Sequence, residues 1–231
     1  MSAVRGARER ARVEVTAAIK DEARRQLADQ GAAKLSLRAV ARELGMVSSG
    51  LYRYFPSRDD LLTALIIDAY DAIGEAAEAA LAPAGRATDH DRWVMVCAAV
   101  RRWALAHPHE YALIYGSPVP GYAAPQATVG PASRVALVLI SVTLDANRTG
   151  GLALPPLPET LRPEAGRLAA DVAPELPPAV AVALAAAWAQ LFGLISFELF
   201  GQFHKVVTDR ETFFAHAAGN LAESVGLLRR E

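Results

Sequence analysis

The chain has few of the residues on which most catalysis and cross-linking depend. One cysteine, Cys97, stands in 231 residues, so no internal disulfide can form, and such usage fits a reducing compartment. The five histidines do not gather with Cys or carboxylates at metal-ligand spacing. The nearest approach, His107-Pro108-His109, has a proline between its two rings and no Cys or carboxylate pair beside it. A phosphate-cradling glycine loop is missing. Gly116 to Gly121 (GSPVPG) lacks the spacing of a nucleophile elbow. The start, MSAVRGARERARVEV, is charged and without the apolar centre of a secretory leader. No run of about 18 uncharged apolar residues reads as a membrane span. These absences argue against an enzyme and against a cofactor or metal. The expectation is a cytoplasmic protein with no membrane partner.

What is present is apolar and helical in character. Hydrophobic residues make up 52% of the chain, enough for a sizeable core. Alanine is abundant, which favours helix. The net charge of -1 hides an asymmetry. Residues 1–60 hold 12 Lys and Arg against 8 Asp and Glu, whereas residues 61–231 hold 12 against 17. The first segment taken alone is therefore basic, as a nucleic-acid-binding module would be.

Residues 1–10 read as a basic arm, either a solvated tail or a contact for phosphates or a minor groove. A helix is expected from about Ala11 to Gln30, with Val15, Ile19, Ala23 and Leu27 in one stripe and Gly31 ending it. Ser36 is placed to cap a second helix whose Leu37, Val40, Ala41 and Leu44 share a face. Gly45 ends that helix, and a third begins near Val47 or Ser48. Two short amphipathic helices around a glycine turn form the helix-turn-helix pattern. In the third helix Val47, Leu51, Tyr54 and Phe55 are expected to pack, with Ser48, Ser49, Tyr52 and Arg53 opposite and Gly50 at the margin. Small hydroxyls, a tyrosine and an arginine suit phosphate and base-edge contacts better than an ordinary solvent face would. Pro56 stops this helix. Ser57, with Asp60 three residues on, caps a fourth with an apolar face of Leu61, Leu62, Leu65, Ile66, Ala69 and Ile73 that runs to about Leu81.

LSLRAVARELGMVSSGLYRYFPSRDDLL resembles the DNA-binding segment of the tetracycline-repressor (TetR) family of bacterial regulators, over about residues 11–65. The most telling part is Leu51-Tyr52-Arg53-Tyr54-Phe55-Pro56-Ser57-Arg58 followed by Leu61-Leu62. Family members often carry Ser or Thr where this chain has Val47. The resemblance implies that Ser36 and Arg38 touch DNA from the second helix, that Ser48, Ser49 and Gly50 approach base edges, and that Tyr52 and Arg58 meet phosphates. Arg53 is a further contact on geometric grounds.

The remainder reads as a second domain. A helix from Trp93 is interrupted at Pro108, Ser117 to Pro125 forms a loop, and an apolar helix lies within Gly130 to Asn147. Residues 147–178 hold seven of the 14 prolines and read as a connector or a pocket lid around a short helix near Pro163. Pro178 to Gly201 is apolar on two faces, Trp188, Phe192, Ile195 and Leu199 on one and Leu194, Phe197 and Phe200 on the other, so both must be covered. Thr208 with Glu211 is expected to cap the last helix, whose stripe is Phe214, Ala217, Leu221, Val225 and Leu228. Glu198 and His204 are expected to be exposed or capped. Trp103-(x)3-His107-Pro108-(x)2-Tyr111 with Tyr115-Gly116, and Trp188-(x)4-Gly193 with Phe197-Glu198, resemble the WHG subtype of TetR C-terminal domains.

The expected fold is all-α with about nine helices. Its parts are an arm (1–10), a three-helix helix-turn-helix domain (11–57), a connecting helix (58–82) and a ligand-binding and dimerisation domain (83–231). The expected function is a transcriptional repressor, dimeric through its last two helices as the resemblance implies. It would be released from a palindromic operator on double-stranded DNA by a small, largely apolar effector. Candidate effector contacts are Trp93, Trp103, His107, Tyr111, Tyr115, Trp188 and Phe192, which could equally be solid core. The rival reading is an enzyme or small-molecule carrier that keeps the helix-turn-helix as scaffold.

Overall fold

The computed structural model describes residues 2–82, 85 and 87–229. The expected domain boundary at residue 83 therefore falls outside the described residues. Ten α-helices are present among those described: α1 (Ser2–Gln30), α2 (Leu37–Glu43), α3 (Ser48–Leu51), α4 (Arg58–Ala79), α5 (Asp89–Ala106), α6 (Pro108–Tyr115), α7 (Val129–Arg148), α8 (Arg162–Val172), α9 (Pro178–Leu199) and α10 (Arg210–Val225). Short 3-10 turns precede α2, α7 and α8. Extended pairing among the described residues is limited to one bridge, between Leu152 and Leu227.

The helices fall into two compact units. One holds the residues through Tyr70 together with His107–Val129; the other holds Asp71–Ala106 and the chain from Gly130 onward. Chain order had grouped residues 107–129 with the second domain.

In the first unit, Ile19, Ala23 and Leu27 of α1, Leu37, Val40 and Ala41 of α2, Leu51 and Phe55, and Leu61, Leu62 and Leu65 of α4 form one buried cluster. Leu113, Val119 and Tyr122 pack against it from the returning segment. The Tyr122 and Thr63 hydroxyls are 2.9 Å apart. The Tyr70 hydroxyl donates to the carbonyl of Ile114 at 3.3 Å, and the Tyr70 and Tyr115 rings meet edge to face. On α1, Lys20 and Arg24 both pair with Asp68 of α4, at 2.8 and 2.7 Å.

Helix α1 is longer than the hydrophobic stripe suggests. It starts at Ser2, so the basic arm is the first turns of this helix. No proline interrupts residues 2–30, and Ala, Arg and Glu continue the helix without needing a packed face.

In the second unit α5 packs on α9 and α10, and α8 and α10 each pack on α9. Arg134 of α7 clamps the end of α4. Its Nη1 donates to Asp71 Oδ1 at 2.8 Å, and its Nε and Nη2 donate to Glu78 at 2.8 and 2.7 Å. It crosses above Gly74, where a Cβ would lie 2.7 Å from the Arg134 Cβ. The start of the Pro-rich segment is tied to the end of α10, Ala153 N–H donating to the carbonyl of Gly226 at 2.9 Å, and its later part packs through α8 on α9.

Helix α10 is capped by Asp209, which accepts from Thr212 N–H at 3.0 Å, rather than by Thr208. Asp209 lies one residue closer to the first free N–H groups and carries a full charge toward them. Glu198, expected exposed or capped, is buried. Its two carboxylate oxygens accept from Arg101 Nε and Nη2, each at 2.7 Å. The pair joins α5 to α9, with the guanidinium 5.2 Å above the Phe214 ring of α10. Two segments, Gln126–Arg148 and Pro178–Leu199, are long and apolar enough to cross a membrane by composition alone. Both contribute buried side chains to the helical packing described above.

Candidate nucleic-acid interface

The interface is built by two short helices and the turn between them. Ser36 starts α2, its hydroxyl accepting from Ala39 N–H at 3.4 Å. Gly45 adopts a left-handed φ of 64°, and Met46 N–H returns to the Ala41 carbonyl at 2.8 Å. That pair of features closes α2 and sends the chain directly into α3. Ser57 accepts from Asp60 N–H at 3.1 Å and donates to its carboxylate at 2.7 Å, which fixes the start of α4.

Burial divides α3 into two faces. Leu51 is completely buried, Phe55 nearly so, and Tyr54 is half-buried against the cluster. Ser48, Ser49, Tyr52 and Arg53 are exposed, with Gly50 intermediate. On α2, Arg38 is exposed and Ser36 intermediate. Neither Arg38 nor Arg53 is paired with a carboxylate among the described residues. Two free guanidinium groups, two serine hydroxyls and a phenol therefore lie on the solvent side of the helix pair.

Two positions differ from expectation. Val47, assigned to the packing face, is 74% exposed. Helix α3 is a single turn beginning at Ser48, so Val47 stands in extended backbone before it and points away from the cluster. Arg58, assigned to a phosphate, directs its guanidinium inward. Its Nε donates to the Leu35 carbonyl at 3.2 Å, and its Nη2 donates to the Ala32 and Ala33 carbonyls at 2.9 and 3.3 Å. In this structure Arg58 holds the turn before α2 against the start of α4. No periodicity could show this, since its acceptors are backbone groups more than twenty residues upstream.

The seven candidate effector contacts are divided between the units. His107, Tyr111 and Tyr115 lie in the first and Trp93, Trp103, Trp188 and Phe192 in the second. Tyr111 is fully buried and its ring is 5.2 Å from that of Tyr115. Burial, and after it the neighbouring Tyr70, raises the Tyr115 hydroxyl well above the ordinary tyrosine range. Trp93 is fully buried and its indole N–H has no acceptor. Trp103 is nearly buried, and Trp188 meets Phe192 edge to face at 5.5 Å.

A cavity of about 180 Å³ lies in the second unit between α7, α8 and α9. Its wall is Ala136, Leu139 and Ile140 of α7, Leu168 and Val172 of α8, Ala173, and Ala181, Leu184, Ala185 and Trp188 of α9. Of the seven expected contacts only Trp188 belongs to this wall. The small residues Ala181 and Ala185, one turn apart and one turn before Trp188, are the sequence signal that the search for aromatics passed over. No group of three or more His, Cys, Asp or Glu positioned for a metal occurs among the described residues.

Comparison with known proteins decides the family. Residues 19–65 match the family described as "Bacterial regulatory proteins, tetR family", and residues 93–221 match "Tetracyclin repressor-like, C-terminal domain". The chain belongs to the TetR family of transcriptional regulators. It is 41% identical to the HTH-type transcriptional regulator Rv1816 of Mycobacterium tuberculosis (strain ATCC 25618 / H37Rv) over 208 residues, 86% of each chain. It is similar to a regulatory protein of known structure, SCO4313, with a TM-score of 0.78, 34% identity, and coverage of 93% of this chain and 98% of that one. RolR, solved in complex with its ligand resorcinol, shares the fold at 16% identity and a TM-score of 0.54, covering 96% of this chain and 97% of that one. The all-α, helix-turn-helix-plus-helical-domain architecture of a TetR regulator is thus what this sequence folds into. Within that frame α2 and α3 lie inside residues 19–65, the part matched to the family's regulatory-protein description.

Proposed function

We propose that this TetR-family regulator is a cytoplasmic, homodimeric repressor that leaves a palindromic operator when a small apolar molecule binds. The observation that carries the reading is the division of α3 and the turn that follows it: Leu51 and Phe55 buried, and Ser48, Ser49, Tyr52 and Arg53 turned outward. Arg38, Ser36 and Gly50 extend that surface, while Arg58 acts by positioning the turn before α2. The serines and arginines supply base-edge and phosphate donors, and the Tyr52 hydroxyl supplies a further phosphate donor.

Dimerisation through α9 and α10 is favoured by what a single chain leaves uncovered. Phe197 of α9, Phe200 just after it and Phe213 of α10 are exposed, and Phe197 and Phe213 join Gly193, Leu194, Phe203, Ala217 and Leu221 in one largely apolar surface. Such a surface suits a two-fold contact, and two-fold symmetry suits a palindrome. The cavity between α7, α8 and α9 favours an uncharged effector. Apart from the Trp188 indole, its wall is made of aliphatic side chains, too few polar partners for a water molecule, which needs two to four. The effector acts only by binding one conformation more tightly than the other.

The test is titration into DNA upstream of the protein's own gene at two salt concentrations. Binding that weakens steeply with salt, and weakens further in Tyr52→Ala and Arg53→Ala, is the expected result. Failure to select any sequence from random DNA overturns the DNA reading. A light-scattering mass near 24.6 kDa at micromolar concentration overturns the dimer.

A further inference from the structure

Two residues at the DNA-reading helix are poor choices for folding. Val47 precedes α3 as its N-cap residue and makes no side-chain cap hydrogen bond. Ser, Thr, Asn or Asp would satisfy a free N–H there. Valine forgoes that bond and also leaves a β-branched apolar side chain 74% exposed. Gly50 sits inside the helical turn with no positive φ that would call for glycine. A Cβ built on it would meet only ordinary contacts, Val47 Cγ2 at 3.5 Å and Met46 Cε at 3.9 Å. The fold would accept alanine at 50 and gain helix propensity from it.

The two choices are adjacent in space. Omitting the Cβ of Gly50 leaves a methyl-sized notch whose side is the Val47 Cγ2 methyl. Gly50 is half-buried while Val47, Ser48, Ser49 and Arg53 around it in the chain are exposed, so the notch opens toward solvent beside the side chains proposed to meet DNA. Base edges in the major groove are almost wholly hydrogen-bond donors and acceptors. The one apolar group among them is the C5 methyl of thymine.

We infer that Val47 and Gly50 form a thymine-methyl pocket, making Val47 a specificity-determining residue for a T·A pair in each half-site. The inference rests on the DNA-binding reading above. Contact is made by the valine methyls and the glycine backbone, and it reverses the folding disadvantage of both: the valine becomes buried and the glycine clearance becomes filled. Discrimination at this pair is then against a missing methyl, separate from the hydrogen bonds of Ser48, Ser49 and Arg53.

The test uses the full chain and an operator selected from random DNA by the wild-type protein. Each thymine is replaced in turn by deoxyuridine, which removes the methyl and nothing else. At one symmetric pair of positions the replacement weakens wild-type binding by about fourfold per methyl, or roughly fifteenfold for both half-sites, as expected from burying one methyl each. Val47→Ala and Gly50→Ala bind thymine and deoxyuridine operators within about twofold of each other, while unfolding thermally no earlier than wild type. Val47→Thr, which retains a γ-methyl, keeps the thymine preference. If no position shows a loss that Val47→Ala abolishes, the pocket is overturned while the DNA reading stands. If the wild-type protein selects no sequence, both fall together.

Discussion

Removing one partner of the Arg101–Glu198 pair tests whether the second unit depends on a single buried charge contact. Glu198→Ala deletes two hydrogen bonds of 2.7 Å and leaves the guanidinium of Arg101 facing Phe214 with its counter-charge gone. The Glu198 side chain is 7% exposed and that of Arg101 16%, so water cannot take over the lost bonds without opening the helix packing. Arg101 will not escape by losing its proton, because a guanidinium keeps its charge throughout the accessible pH range even without Glu198. Truncating one member of a buried pair costs about 3–5 kcal/mol. For a slope near 3 kcal/mol/M, the urea midpoint should fall by roughly 1–1.7 M. The assay is urea unfolding followed by far-UV circular dichroism at fixed protein concentration, since a dimer's stability depends on concentration. The double variant Arg101→Met/Glu198→Leu removes both charges and keeps the volume, and should lie within about 1–2 kcal/mol of wild type. A Glu198→Ala loss below about 1 kcal/mol, or a double variant as unstable as the single one, refutes the reasoning, since either outcome shows that the uncompensated charge is not what destabilises.

Other expected outcomes follow from the same geometry. Arg58→Ala, which loses three bonds to the Ala32, Ala33 and Leu35 carbonyls, should lower the stability of the DNA-binding unit by about 2 kcal/mol, whereas Tyr52→Ala should leave the melt unchanged and weaken DNA binding. Gly226→Ala places a Cβ 2.0 Å from the Ala153 carbonyl oxygen at a φ of 105°, and should cost about 2–3 kcal/mol in thermal unfolding. Hydrogen bonds from the Thr212 side chain, and after it the Thr212 backbone N–H, hold the Asp209 carboxyl below its ordinary value of 3.8. Its contribution is therefore full above that value and lost as pH falls through the lower folded one. The gap in melting temperature between wild type and Asp209→Ala should close as the pH drops from 5 to below 3.

Local signals carried much of the fold. Ser36 and Ser57 stand three residues before the N–H groups they cap, and Gly45 stands where only a left-handed turn lets α2 end and α3 begin. Pro108 broke its helix where expected, at the junction of α5 and α6. What escaped sequence reading depends on distant partners. Glu198 looks like an ordinary acid on an apolar helix, and only folding brings Arg101, 97 positions away, onto it. Arg58 looked like a phosphate contact because its acceptors are carbonyls with no residue identity. Val47 was misplaced because it precedes the helix in extended backbone, outside the helical periodicity that grouped it with Leu51. The cavity escaped because its wall is made of alanines and leucines whose spacing is that of any packed helix.

The segment His107–Val129 closes the hydrophobic cluster beneath α2 and α3, although it begins about forty residues further along the chain than Leu65, the cluster's last leucine before it. The reading head is therefore not a separable piece of sequence. A fragment cut after α4 would lack Leu113, Val119 and Tyr122, baring the apolar surface they cover and stranding the Thr63 hydroxyl. Swapping such heads between regulators by joining chains at a single point would leave a gap in the recipient's core. A working exchange has to carry two pieces of chain and both of their junctions.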